Sequence, residues 1–251
     1  MLVTVNGLAI HHSGRGLTKG FFLEPGGFTG WDGGVDIRFT SVERDGQHGE
    51  YDLPSYLGAR VTSFSGYAVS STPGETAQLG EYLTGIVSSG ASKIVSVERD
   101  QVTQWARGKL ATALPRFDID GSDPRLARWQ IQLRYPDPRK YGEERPFEQE
   151  AAFHFGNFPA IPRFEVEGDA PNGYTINGPE GRTITVTRPC VVGEVHSIDL
   201  RDTTLRVNGE VVYGGISRPG QWTISNGDQV QHTLSGAGGA TLRTYLTDTY
   251  V

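Results

Sequence analysis

From Trp129 to Tyr135 the apolar residues Trp129, Ile131, Leu133 and Tyr135 alternate with Gln130, Gln132 and Arg134, and the pattern then meets Pro136 and Pro138. A period of two puts the apolar set on one face, so this segment is a strand with one side in a core. The prolines end it, because neither can donate to a ladder. A charged run follows, then Gly156-Asn157-Phe158-Pro159, and past Pro162 a second series of short alternating segments opens. This order predicts two β domains on either side of a joint. At 251 residues each has room for a core of its own.

The rest of the chain supports a mainly β reading. Its 34 glycines, spread among Pro, Asn and Asp, predict many tight turns between short strands. Val3–Ile10 alternates around Asn6-Gly7, a hairpin signal. Residues 14–34 combine glycines with Phe21, Phe22, Phe28 and Trp31 and read as a loop with apolar anchors. Val35, Ile37 and Phe39 alternate as in a half-buried strand. Ala59–Ser71 does so through Val61, Phe64, Tyr67 and Val69, with an irregularity at Gly66. Further strands are predicted at Ile94–Val97 and from Val102 toward Leu114.

One helix is signalled. Thr72 caps it, Pro73 suits its first position and Glu75 completes a capping box. Leu79, Leu83, Ile86 and Val87 then share one face, and Ser88-Ser89-Gly90 ends it. In the second half, strands are expected at Arg163–Glu167, Thr183–Thr187, Glu194–Asp199, Thr204–Val207 and Glu210–Tyr213. Others are expected at Gln221–Ile224, Val230–Leu234 and Thr241–Thr247, and Asn208-Gly209 turns one hairpin. The expected fold is an N-terminal β-sandwich with one helix over 1–147, a connector over 148–162 and a C-terminal β-sandwich over 163–251.

The familiar chemistries find no footing. Cys190 is the single cysteine, which leaves no intrachain disulfide and no cysteine cluster for zinc. Between Pro189 and Val191-Val192 it reads as a buried strand residue. No apolar run reaches the roughly 20 residues of a membrane span, and the N-terminal residues lack the pattern of a signal peptide. The net charge of −6 divides evenly, with 16 basic and 19 acidic residues over 1–150 and 7 and 10 over 151–251. Neither half is built to grip nucleic acid.

Asp118–Asp123 resembles part of a calcium loop. Its glycine stands at position 4 and Trp129 at position 12, where an EF-hand needs Gly at 6 and Glu at 12, so it reads as a solvated acidic turn. His11-His12 has no nearby partner carboxylate, and His48, His154, His196 and His232 stand alone and read as surface or interface residues. There is no G-x-S-x-G elbow, H-E-x-x-H or Walker loop. No catalytic, cofactor-binding or metal-binding residue is predicted.

Several short motifs, in order, carry a resemblance over nearly the whole chain. They are Phe28-Thr29-Gly30-Trp31-Asp32, Asp52–Tyr56 before Gly58-Ala59-Arg60, and the strand–helix unit Val61–Ile86. Asp137-Pro138-Arg139-Lys140-Tyr141-Gly142 follows, then Gly156–Pro162 leading into Phe164–Gly168. Ile198-Asp199, Asn208-Gly209 and Pro219-Gly220 complete the series. In these the chain resembles the distal tail proteins of long-tailed phages, in the form seen in phages of actinobacteria.

The resemblance implies a non-enzymatic virion protein at the distal end of the tail. Its N-terminal domain would form a homohexameric ring, and its C-terminal domain would be a galectin-like β-sandwich. The implied partners are the tail tube protein, the tail-associated hub protein, the tape measure protein and the receptor-binding proteins, with no cofactor, no sequence-specific nucleic acid and no membrane. The expected contact residues are Phe28 and Trp31 in the early loop and Arg139, Lys140 and Tyr141 at the joint. Asp137 would cap the turn there.

Two other readings stay open: a carbohydrate- or receptor-binding module at the tail tip, and a cell-wall hydrolase. The galectin sugar motif H-x-N-x-R is not matched, since His196 is followed by Ile198 and Leu200 at those offsets and Trp222 lacks Glu and Arg company. Galectin-type lactose binding is therefore not expected.

Overall fold

In the computed structural model, which describes residues 1–12, 18–86 and 88–251, the Asn6-Gly7 turn joins β1 (Leu2–Val5) to β2 (Leu8–His12) as its sequence predicts. The chain divides into two units, Met1–Lys140 with Val251, and Tyr141–Tyr250.

In the first unit β3 (Gly20–Thr29) is followed by two short strands, β4 (Ile37–Arg38) and β5 (Tyr56–Leu57), and by the long β6 (Arg60–Val69). The helix α1 (Pro73–Ile86) comes next, then β7 (Lys93–Arg99), β8 (Val102–Leu110), β9 (Arg116–Ile119) and β10 (Leu126–Tyr135). The strand order β8-β7-β1-β2-β3-β6-β10, with β10 also pairing β8, closes the sheet on itself. Only β2 and β3 run parallel within that circuit. Val3, Ile10, Phe21, Phe64, Trp129 and Leu133 fill the interior. β9 pairs the remaining edge of β10.

The helix begins as its sequence predicts. Thr72 Oγ1 accepts the Glu75 N–H at 3.2 Å, and the Glu75 carboxylate accepts the Ser71 N–H at 2.8 Å. Its buried residues are Thr76, Gly80, Leu83 and Ile86, and Gly80 lies against the Phe117 ring. Val87, expected on this face, lies outside the described residues.

Three expectations are corrected in this unit. Much of the predicted loop 14–34 is the strand β3, because Phe21 and Leu23 point into the core while Phe22 and Glu24 alternate outward; residues 14–17 of that segment lie outside the described residues. β6 buries Phe64 as expected but has the opposite phase at Val61 and Tyr67. Arg60, Thr62 and Phe64 point inward, and Val61 and Tyr67 are exposed. Past the half-buried Val35 the expected strand is not half-buried: Ile37 and Phe39 stand 61% and 70% exposed on an arm running from 36 to 57. The irregularity expected at Gly66 is present as a register shift in the facing strand between Leu23 and Phe28. A Cβ at Gly66 would collide with the Phe22 carbonyl.

The second unit opens with β11 (Lys140–Phe147, here from Tyr141 on), then β12 (Ala152–Phe153), β13 (Arg163–Glu167) and β14 (Tyr174–Asn177). β15 (Thr183–Val186), β16 (Val195–Asp199), β17 (Thr204–Val207) and β18 (Glu210–Val212) follow, the last two joined at Asn208-Gly209. β19 (Ile216–Arg218), β20 (Gln229–Val230), β21 (Thr233–Ser235) and β22 (Thr241–Tyr250) complete it. One sheet runs β18-β17-β16-β13-β22-β11 and the other β19-β15-β14-β21. Phe164, Val166 and Ile198 of the first meet Ile176 and Ile184 of the second in one core, which makes the unit a sandwich.

The expected boundaries move. Residues 141–162, expected to end one domain and link to the next, belong to the second unit, since Phe147, Ala152 and Ala160 bury with Ile224 and Leu246. Gln221–Ile224 is not a strand: Trp222 turns into the core and only Ile224 bridges, to Ala160.

Candidate interaction site

Arg60 is the first inward residue of β6 and is 1% exposed. Its Nη1 reaches the carbonyls of Gly30 and Trp31 at 2.9 Å and of Gly33 at 2.7 Å, and its Nε donates to Pro138 O at 2.9 Å. One buried guanidinium therefore ties the aromatic loop to the proline turn after β10. Gly30 makes the tight turn possible, with φ +82 and no room for a Cβ against Val61.

Trp31 then lies 1% exposed, edge-on to Tyr135 at 6.0 Å. Phe28 is half-buried and stacks on Phe64 at 4.8 Å. The Lys140 Nζ donates to Trp31 O at 2.9 Å and sits 5.9 Å from its ring. The Asp137 carboxylate accepts the Arg139 N–H at 3.2 Å and pairs with its guanidinium at 2.8 and 3.0 Å. Tyr141, in the second unit, lies 5.8 Å from the Arg201 guanidinium.

The expected contact residues thus part company. Trp31 and Lys140 are interior, a correction to reading them as surface contacts: the turn at Gly30 and the pull of Arg60 fold the loop inward. Sequence reasoning assigned Arg60 no role. No local signal marked it, since Val61 and Tyr67 set the apparent inward phase one residue off and its carbonyl partners lie far away in sequence.

The electrostatics fit a packed node. Burial pushes the Arg60 pKa down, opposed by Tyr135 and Asp32. Burial, with Arg60 nearby, pushes Lys140 down as well. Asp32 is held below the usual carboxylate range by Arg99, whose guanidinium grips it at 2.6 and 2.7 Å. The node holds the loop and the proline turn in shape.

In the second unit His154, His196 and His232 are buried and partnered, not at the surface as expected. His154 Nδ1 faces the Asp248 carboxylate at 3.0 Å, and the same carboxylate takes Arg145 at 2.9 Å. The His196 Nδ1 meets the Tyr174 hydroxyl at 3.1 Å. Cys190 is fully buried, and burial, with Glu194 and Glu167 nearby, raises its thiol pKa. A cleft of about 610 Å³ is lined by Glu148, Glu165, Glu167, Gln231 and Arg243 among others, with no Trp, Tyr or Phe to stack a sugar. Among the described residues no cluster of His, Cys, Asp and Glu could hold a metal ion, and no helix is long and apolar enough to cross a membrane.

No known family profile and no curated protein matches the chain. Solved structures do. The crystal structure of the SPP1 Dit (gp 19.1) protein, described as a paradigm of the hub adsorption apparatus in phages that infect Gram-positive bacteria, matches with a TM-score of 0.75 at 13% identity, over 100% of this chain and 99% of that one. The chain has the Dit fold. A chain of the phage P2 baseplate in its activated conformation with Ca matches with a TM-score of 0.51 at 8% identity, over 86% of this chain and 87% of that one. In this Dit-like chain the Arg60 node spans the motifs around Trp31 and Pro138.

Proposed function

We propose that this chain is a structural, non-enzymatic protein of the virion, placed at the distal end of a long-tailed phage tail. The reading is that it forms a hexameric ring joining the tail tube to the tail-tip or baseplate and receptor-binding proteins. The observation that carries it is the match to the SPP1 hub protein over the full length of both chains at a TM-score of 0.75. The resemblance read from Trp31, Arg60 and the joint at Asp137–Tyr141 supports it independently. The tape measure and tail-associated hub proteins are the further partners proposed. Phe28, Asp137, Arg139 and Tyr141 remain proposed contact residues, while Trp31 and Lys140 would act by holding the loop and turn in shape.

A ring needs heterologous contacts, in which one patch meets a different patch on the next copy. The arm 36–57, with Phe39 and Tyr56 exposed, suits such a contact, because exposed aromatic residues gathered on one element mark interaction sites. The test is mass measurement in solution with negative-stain imaging, alone and with the neighbouring tail proteins. Six-fold rings are expected. A chain that stays monomeric even with those proteins present would overturn the reading.

A further inference from the structure

Two like-charge pairs in the first unit lie directly across a ladder from one another. On the outer face of the closed sheet, Lys109 of β8 sits opposite Arg134 of β10. On the arm, Glu43 sits opposite Glu50. Side chains so placed have Cβ atoms roughly 5 Å apart, and like charges there destabilise the pair. Among the described residues none of the four has an ion-pair partner within the chain; the Glu50 carboxylate takes only the Ser41 hydroxyl. Each pair is unfavourable where it stands, and each would be relieved by the other.

The surroundings extend the match. Arg107, two residues before Lys109, is exposed on the same face, and its cross-strand neighbour is the exposed Ile94. Arg134 has the exposed Val61 opposite it on β6. Arg116 and Arg128 continue the row along β9 and β10, Arg128 lying over the exposed Tyr67 with Asp118 of β9 across the ladder from it, so the basic residues of the face outnumber this acidic one. This basic face is hidden by the chain's net charge of −6. The arm is its complement. Asp36, Glu43, Asp45, Glu50 and Asp52 outnumber Arg38 and Arg44, beside the exposed Ile37, Phe39, Tyr51 and Tyr56. Among the described residues no ion pair joins arm to face within one chain.

We infer that the acidic, aromatic arm 36–57 of one copy docks on the basic outer face of β8 and β10 of a second copy. The inference rests on the ring reading and names its contact: a heterologous one that repeats from copy to copy. The charges steer and fix the register, and the exposed apolar side chains on both surfaces supply the area removed from water.

The test is a charge swap on the full chain, read by sedimentation at several salt concentrations, with circular dichroism to check folding. Wild type should associate, and more weakly as salt rises. Lys109→Glu with Arg134→Glu should weaken association at least about tenfold, and so should Glu43→Arg with Glu50→Arg. The four substitutions together should restore it. If a reversal prevents folding, Lys109→Gln and Glu50→Gln must each weaken association in its place. Rings from either double variant as tight as wild type would overturn the docking and leave the ring reading standing, as would failure of the swap to restore them. A wild type that forms rings whose tightness does not change with salt overturns the docking alone. Duplex DNA bound by wild type and lost in Lys109→Glu with Arg134→Glu, without self-association, would assign the face to a polyanion and also overturn it.

Discussion

Acid should weaken the second unit, foremost through His232. Trp222 Nε1 donates to His232 Nε2 at 3.0 Å. An indole N–H has no lone pair to offer, so Nε2 must be bare and the imidazole neutral. The proton then sits on Nδ1, which faces Thr244 Oγ1 at 3.3 Å. The ring is 8% exposed, with Phe164 4.8 Å away, edge to face. Burial pushes its pKa down to about 4.

An unfolded histidine ionises near about 6.5. Between those values the unfolded chain binds the proton and the folded chain does not. The stability from neutral His232 is therefore complete above about pH 6.5, declines as pH falls and is gone below about pH 4. A gap of about 2.5 units at ~1.4 kcal/mol each corresponds to about 3 kcal/mol overall and about 2 kcal/mol by pH 5. His196, also lowered by burial with Glu194 opposing, adds in the same direction.

The assay is urea unfolding from neutral pH to about pH 4.5, followed through the fluorine resonance of fluorotryptophan at Trp222, the second unit's single tryptophan. His232→Gln is the control, because its amide oxygen can accept the same indole N–H and cannot titrate. Wild type should lose about 2 kcal/mol more than the variant on going to pH 5. Parallel pH profiles would refute the reasoning, and so would an NMR titration in which folded His232 ionises near its unfolded value.

Arg60→Met strands the carbonyls of Gly30, Trp31, Gly33 and Pro138, so thermal unfolding should show a loss of about 3–5 kcal/mol. Arg60→Lys should recover little, since one ammonium cannot span the fork. Gly66→Ala pushes a methyl into the Phe22 carbonyl and should cost more than about 1 kcal/mol in denaturant unfolding, with exchange protection lost along β3 and β6. Cys190 is fully buried, so iodoacetamide should label it only after urea is added; rapid labelling of the native chain would contradict its placement.

Local rules account for much of what could be read ahead of the structure. The Asn6-Gly7 and Asn208-Gly209 turns, the Thr72–Glu75 helix start and the strand Trp129–Tyr135 depend on neighbours in sequence, and all are present. Phase failed where chemistry and burial disagree. In β6 Val61 and Tyr67 face out, while Arg60 and Thr62 share the inward face with Phe64 and Ala68, and hydrophobic periodicity has no means of ranking a carbonyl-wrapped arginine as core. For the same reason Trp31 and Lys140 read as surface residues, and the buried histidines read as isolated ones: their partners lie far off in sequence.

The sequence by itself determined a mainly β chain in two parts, the turns and the helix cap, because hydrogen-bonding preferences and periodicity act over a few residues. Only the tertiary structure decided which strands close the sheet, that Arg60 joins residue 30 to residue 138, and that like charges at 109 and 134, and at 43 and 50, stand face to face. Those facts depend on register between distant segments, and register is set by the whole core at once.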